Sequence, residues 1–218
     1  MELLRQIDGY CERTDFSYWS EPLNAVTNLS FILAALILWP RVRGILGAQI
    51  LVVILFVIGV GSYLFHTHAT VWAAMADTIP IGLFILTYLF LVNLNILRWP
   101  LWAAVLGTLA FLPYAYAVTS FVMQMPFLRV SSFYWSVPLL LVIYAFFPKV
   151  NAAGVSRGFL IGAGLLAMSL TFRSLDESLC SSVPVGTHFL WHLLNGVMLG
   201  WMIVVYRRHM LASASQGG

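Results

Sequence analysis

Apolar residues run in seven long blocks separated by short polar or basic breaks, at about 24–40, 45–65, 71–95, 100–120, 132–148, 154–172 and 186–206. Each block is close to the roughly 20 residues that carry a helix across about 30 Å of hydrocarbon at ~1.5 Å per residue. A segment in lipid must satisfy its backbone polar groups internally, so the pattern predicts an all-α fold of seven transmembrane helices. The fifth block is the least regular. Ser131, Ser132, Ser136 and Pro138 interrupt its start, and Phe133, Tyr134 and Trp135 suit a membrane interface. The expected organisation is a segment 1–23 outside the membrane, a helical domain 24–208 and a disordered tail 209–218.

Composition supports the membrane reading. Hydrophobic residues make up 61% of the 218 and charged residues only 9%, against roughly a quarter charged in soluble domains. A net charge of +3 gives no ground for a nucleic-acid partner; where the charges fall is more informative. Arg41, Arg43, Arg98, Lys149, Arg157, Arg207 and Arg208 collect at one set of block ends, Arg5, Arg13, Arg129 and Arg173 at the other. Basic excess marks the cytoplasmic side, which predicts the N-terminus outside and the C-terminus inside. Seven of the eight acidic residues then lie outside, and the eighth, Asp77, sits in the outer half of the third block. The first 22 residues are too charged for the apolar core of a signal peptide, so the first block is expected to direct insertion itself.

Three histidines give this scaffold chemistry. His188 and His192 are four apart at the start of the last block, which stacks them on one helix face. His66 ends the second block, at the same outer depth by the charge-based topology. Three neutral imidazoles with no thiolate suit zinc, and three protein ligands leave a fourth position for water, the catalytic pattern. The plainer alternative is packed or interfacial histidines, though ionisable residues in lipid are expensive enough to suggest function. Ser62 lies one turn before His66, either as a small packing residue beside Gly59 and Gly61 or as a hydroxyl that steadies an oxyanion. Asp77 is a carboxylate in lipid, placed to exchange a proton with a metal-activated water. His68 and His209 read as flanks, and Trp191 as packing.

Ahead of the first block, Asp8, Glu12, Asp15 and Glu21 crowd a short irregular stretch near Asn24 and Asn28. This is either an acidic loop or a calcium site, since hard cations collect carboxylate and carbonyl oxygens from such segments. Cys11 and Cys180 are the only cysteines, and both fall outside by the same topology. An oxidising compartment allows a disulfide between them; the alternative is two free thiols.

Taken in order, Tyr10-Cys11-Glu12, Glu21-Pro22-Leu23-Asn24 with Asn28-Leu29-Ser30, Gly59-x-Gly61-Ser62-x3-His66, Asp77 and His188-x3-His192 resemble the alkaline ceramidases. These belong to a superfamily of seven-span membrane hydrolases that includes the adiponectin and progestin receptors. The resemblance covers both ends and blocks 2, 3 and 7. It implies an intramembrane zinc amidase that cleaves ceramide to a sphingoid base and a fatty acid, with zinc on His66, His188 and His192 and with Ser62 and Asp77 in the active site. It also implies calcium on Glu12 and Glu21, with Asp8, the Tyr10 carbonyl, Thr14 or Asp15 available as further ligands, and a bridged Cys11–Cys180 pair. The run Asp77-Thr78-Ile79-Pro80-Ile81 departs from the family's Asp-Glu-x-Pro-Met by one carboxylate, and the stretch from Glu12 to Glu21 is shorter than in the animal enzymes. Short loops give the chain a bacterial look, which would place it in the inner membrane, where the substrate could be another N-acyl lipid. The rival readings are a hydrolase of a different membrane lipid and a lipid-sensing receptor with a structural zinc.

Overall fold

A computed structural model describes residues 2–216. The helices are α1 (Pro22–Thr27), α2 (Leu29–Leu38), α3 (Leu46–His68), α4 (Val71–Leu91), α5 (Leu101–Leu109), α6 (Phe111–Val122), α7 (Ser136–Ala145), α8 (Pro148–Ala152), α9 (Ser156–Leu179) and α10 (His188–Gln216). Beyond one antiparallel bridge between Gln6 and Thr70, no β-structure occurs among the described residues.

Six stretches are long and apolar enough to cross a membrane: Pro22–Val42, Leu46–His68, Val71–Ile96, Leu101–Val122, Ser156–Leu179 and His188–Ser215. Leu33, Leu36, Trp102, Leu106 and Leu112 are exposed on them, a surface that suits lipid and would associate in water. The expected crossing at 132–148 is only the ten-residue α7. The residues before it close turns instead of a helix. Tyr134 N–H donates to the Ser131 carbonyl at 3.0 Å, and the Ser136 hydroxyl donates to the Phe133 carbonyl at 2.7 Å. Serine side chains compete for backbone groups in this way. The expected disordered tail also differs: α10 runs to Gln216, with His209 buried, so 209–216 are helical and Gly217 and Gly218 lie outside the described residues.

The buried core joins Leu51, Leu55 and Ile58 of α3, Phe84 of α4, Phe159 and Leu170 of α9 and Ile203 of α10. One close approach positions the site. A Cβ on Gly61 would overlap the Ala76 carbonyl and crowd the Asp77 nitrogen, so glycine lets α3 and α4 touch where Ser62 and Asp77 sit. The N-terminal segment lies over the α3–α4 turn. Ile7 N–H donates to the Ala69 carbonyl at 2.7 Å, and Val71 N–H to the Arg5 carbonyl at 3.0 Å.

Candidate metal centre

His66 sits in the last turn of α3, and His188 and His192 occupy the first two turns of α10. Each is 1% exposed. One ring nitrogen from each lies within 4.8 Å of the others, the only such histidine, cysteine or carboxylate group of three among the described residues. Burial at this depth normally demands hydrogen bonding, yet His66 Nε2, His188 Nδ1 and His192 Nε2 have no partner.

The opposite nitrogens of two of the rings are engaged, and this fixes their tautomers. His66 Nδ1 lies 2.6 Å from Glu21 Oε2; a carboxylate accepts, so Nδ1 carries the proton and Nε2 keeps its lone pair. His192 Nδ1 lies 3.0 Å from the Thr27 hydroxyl. That hydroxyl commits its own proton to the Leu23 carbonyl at 2.8 Å, so it accepts from His192 and leaves Nε2 as a ligand atom. Groups of this kind orient metal-binding histidines. His188 is oriented differently. The Tyr10 ring stacks on it at 3.8 Å between centroids. Buried Asp176 accepts its backbone N–H at 2.9 Å, and those of Thr187 at 2.7 Å and Cys11 at 3.0 Å. Asp176 thereby supplies acceptors to the otherwise unpaired N–H groups that open α10. Gly186 makes room for it with φ +64°, where a Cβ would overlap the carboxylate. Three orphaned, converging nitrogens, two of them tautomer-fixed, fit a divalent cation.

Ser62, one turn before His66, and Asp77 both line an apolar cavity bounded by α3, α4 and α10. Trp191 and Asn195 flank His192 at its outer part, and Tyr88, Tyr144 and Met202 line it further in. Arg173 of α9 stacks 5.6 Å from the ring centres of Tyr134 and Trp191 and donates to the Val130 carbonyl at 2.7 Å. Cys11 and Cys180 form a disulfide, which ties the N-terminal segment to the end of α9.

The residues expected to hold calcium take other roles. Glu12 accepts from the Leu23 and Asn24 N–H groups at 2.7 and 2.8 Å, capping α1 from outside; burial raises its pKa against those two donors. Glu21 divides its oxygens between Arg13 Nε at 2.5 Å and His66 Nδ1 at 2.6 Å. Burial opposes its ionisation, but the His66 ring and the Arg13 guanidinium hold its pKa below the usual value. Asp15 turns outward to accept from the Ser17 hydroxyl and N–H, which lowers its pKa. Asp8 is exposed, and the Tyr10 carbonyl accepts from Arg13 N–H. No three of these carboxylates gather within 4.8 Å among the described residues, and Glu12, Asp15 and Glu21 each have protein partners in this structure. Thr27, Arg13 and Asp176 were not singled out from the sequence for these roles. The signal for Thr27 was there: Asn24, Thr27 and Asn28 make a polar stripe at helical spacing inside an apolar run, which must face protein rather than lipid.

The fold and site define a polytopic helical membrane protein with a buried cluster of three histidines that could hold a metal ion, beside an apolar cavity. The chain matches the family model Ceramidase over residues 7–217 and belongs to that family. A comparison with curated proteins finds no match.

Proposed function

We propose that this protein is an intramembrane zinc-dependent amidase that hydrolyses the N-acyl bond of ceramide or a related N-acyl lipid. The observation that carries the reading is the convergence of His66 Nε2, His188 Nδ1 and His192 Nε2, buried and unpartnered, beside a cavity that holds Ser62 and Asp77. Membership of the Ceramidase family supports the amide substrate. Zinc on the three histidines would supply Lewis-acid polarisation of the amide carbonyl and an activated water.

The chain's own groups do the rest. The apolar walls from Ile58 to Met202 take the acyl chain and exclude water. Asp77 accepts the proton of the attacking water and returns it to the leaving amine. The Ser62 hydroxyl donates to the oxygen on which negative charge develops.

In this reading the chain crosses the membrane seven times, with the N-terminus and the centre on the extracytoplasmic side of a bacterial inner membrane. Support for a seventh crossing comes from the two ends of the α7 region. Ser131 Oγ meets Ser174 Oγ at 3.3 Å, and the Ala145 carbonyl accepts from the Ser156 hydroxyl at 2.7 Å. The α9 stretch between those two partners rises about 27 Å, so the chain from Ser131 to Ala145 covers nearly the same depth.

The test is mass spectrometry of lipid products from purified protein and a ceramide panel, with and without a zinc chelator. Chelator-sensitive release of fatty acid and sphingoid base is expected. Zinc present in the protein with no release from any N-acyl lipid would overturn the activity and leave a lipid-sensing role.

A further inference from the structure

Arg13 is 6% exposed and sits beside the metal centre. Its guanidinium uses three different nitrogens on three different oxygens. Nε donates to Glu21 Oε1 at 2.5 Å, Nη1 to the Asp15 carbonyl at 3.0 Å and Nη2 to the His66 carbonyl at 3.0 Å. One carboxylate and two main-chain carbonyls from an irregular segment and a helix end are the oxygen set that a hard cation gathers. Here a side chain of the same segment gathers them. The nearby carboxylates are already committed: Glu12 to the start of α1, Asp15 to Ser17, and the second oxygen of Glu21 to His66 and, at 3.1 Å, to Asn24 Nδ2. Among the described residues, the buried side-chain oxygens left without a partner on this side are the amide oxygens of Asn24 and Asn28 and the Thr70 hydroxyl, neutral groups that do not make a divalent-cation site alone.

We propose that Arg13 is a built-in cation that takes the structural place of calcium in this chain. It neutralises Glu21, clamps the segment from Tyr10 to Glu21 onto the last turn of α3, and holds the carboxylate that orients His66. Arg13 touches no substrate; it is a positioning residue that acts through Glu21. Guanidinium suits the task because its planar fork is pre-organised for several acceptors and stays charged when buried. The functional difference from a bound ion is concentration. An ion stabilises by an amount set by its free concentration relative to Kd, whereas an internal cation is always present. The proposal rests on the reading of the three histidines as metal ligands and is independent of the substrate.

The experiment uses the full chain, zinc-loaded, in lipid nanodiscs. Calcium content is measured by elemental analysis, and Tm and zinc affinity are measured in calcium-free buffer and in millimolar calcium. Wild type is expected to carry no stoichiometric calcium and to show the same Tm and zinc affinity in both buffers. R13Q is expected to lose about tenfold or more in zinc affinity, as groups that orient a ligand histidine typically do. R13K restores charge at Glu21 but not the reach to both carbonyls, and is expected to recover part of that loss. Stoichiometric calcium in wild type, or a Tm that rises with calcium, would overturn the proposal. So would an R13Q protein that binds zinc like wild type. If R13Q does not fold, the calcium dependence of wild type and the zinc affinity of R13K still decide. Ceramide turnover, assayed in parallel, tests the proposed activity separately.

Discussion

Thr27→Val removes the hydroxyl that meets His192, together with its local bond to the Leu23 carbonyl, without changing charge and with almost no change in shape. In wild type the Thr27 hydroxyl accepts from His192 Nδ1 at 3.0 Å and keeps Nε2 free for the metal. Valine leaves Nδ1–H without a partner, and the other tautomer, with its proton on Nε2, becomes competitive. Two lines of reasoning set the magnitude. A buried neutral hydrogen bond contributes about 0.5–1.5 kcal/mol net, a factor of roughly 2–12 in binding. Losing the group that orients a metal-bound histidine typically weakens affinity by about 10–100-fold. The two ranges meet near tenfold, the expected loss in zinc affinity.

The assay is competition against a chromophoric zinc chelator at fixed pH. Thr27→Ser serves as the control, because it keeps the hydroxyl that also donates to the Leu23 carbonyl at 2.8 Å. Wild type and Thr27→Ser should bind alike and Thr27→Val about tenfold more weakly. A Thr27→Val affinity within twofold of wild type would refute the tautomer argument. A Thr27→Ser protein as weak as the valine variant would instead point to packing around α1.

Two further predictions bear on turnover. Asp77→Asn should retain one zinc per chain and lose roughly 10²–10⁴-fold in kcat, the span of general acid–base catalysis; full activity with zinc retained would remove Asp77 from its role. Ile81 lines the cavity one turn inward from Asp77, so Ile81→Trp should shorten the acyl chain accepted. Excluding about three methylenes forfeits about 2.4 kcal/mol at ~0.8 kcal/mol each, roughly 50-fold in kcat/KM for long chains relative to short ones. An equal fall for all chain lengths would mean the acyl group lies elsewhere.

The crossings were legible because lipid leaves the backbone few options, and long apolar blocks report that directly. The three histidines were legible for a geometric reason. The spacing of four between His188 and His192 and the shared depth of His66 follow from helix periodicity and charge asymmetry alone. What the pattern left open has a common cause: local polar groups whose partners the spacing does not name. Ser136 and the Ser131 carbonyl close turns ahead of α7, so an apolar block of ordinary length makes a short helix. Glu12 and Glu21 form an acidic cluster in sequence, which suggested calcium. In space one caps α1, and the other lies between Arg13 and His66. Proximity in sequence gave the residues but not the direction in which each carboxylate points.

That distribution of roles links the metal to the N-terminal segment. The three histidines come from α3 and α10, yet Glu21 meets His66, Thr27 meets His192 and the Tyr10 ring packs on His188. Metal binding should therefore favour the docked segment, and docking should favour metal, by the same free energy. If the undocked form binds no zinc, raising free zinc to about 100 times Kd stabilises the docked form by about 2.7 kcal/mol, an opening population roughly 100-fold smaller. Hydrogen exchange read by mass spectrometry gives the number for peptides covering Tyr10 to Asn24, with the Cys11–Cys180 disulfide intact. Exchange there should quicken on chelation by up to that factor, while peptides from the middle of α9, which meet neither the ligands nor the segment, should keep their rates. Equal protection of the segment with and without zinc would mean that the rings are held by the helices alone, and that the contacts from Glu21, Thr27 and Tyr10 do not couple docking to the metal.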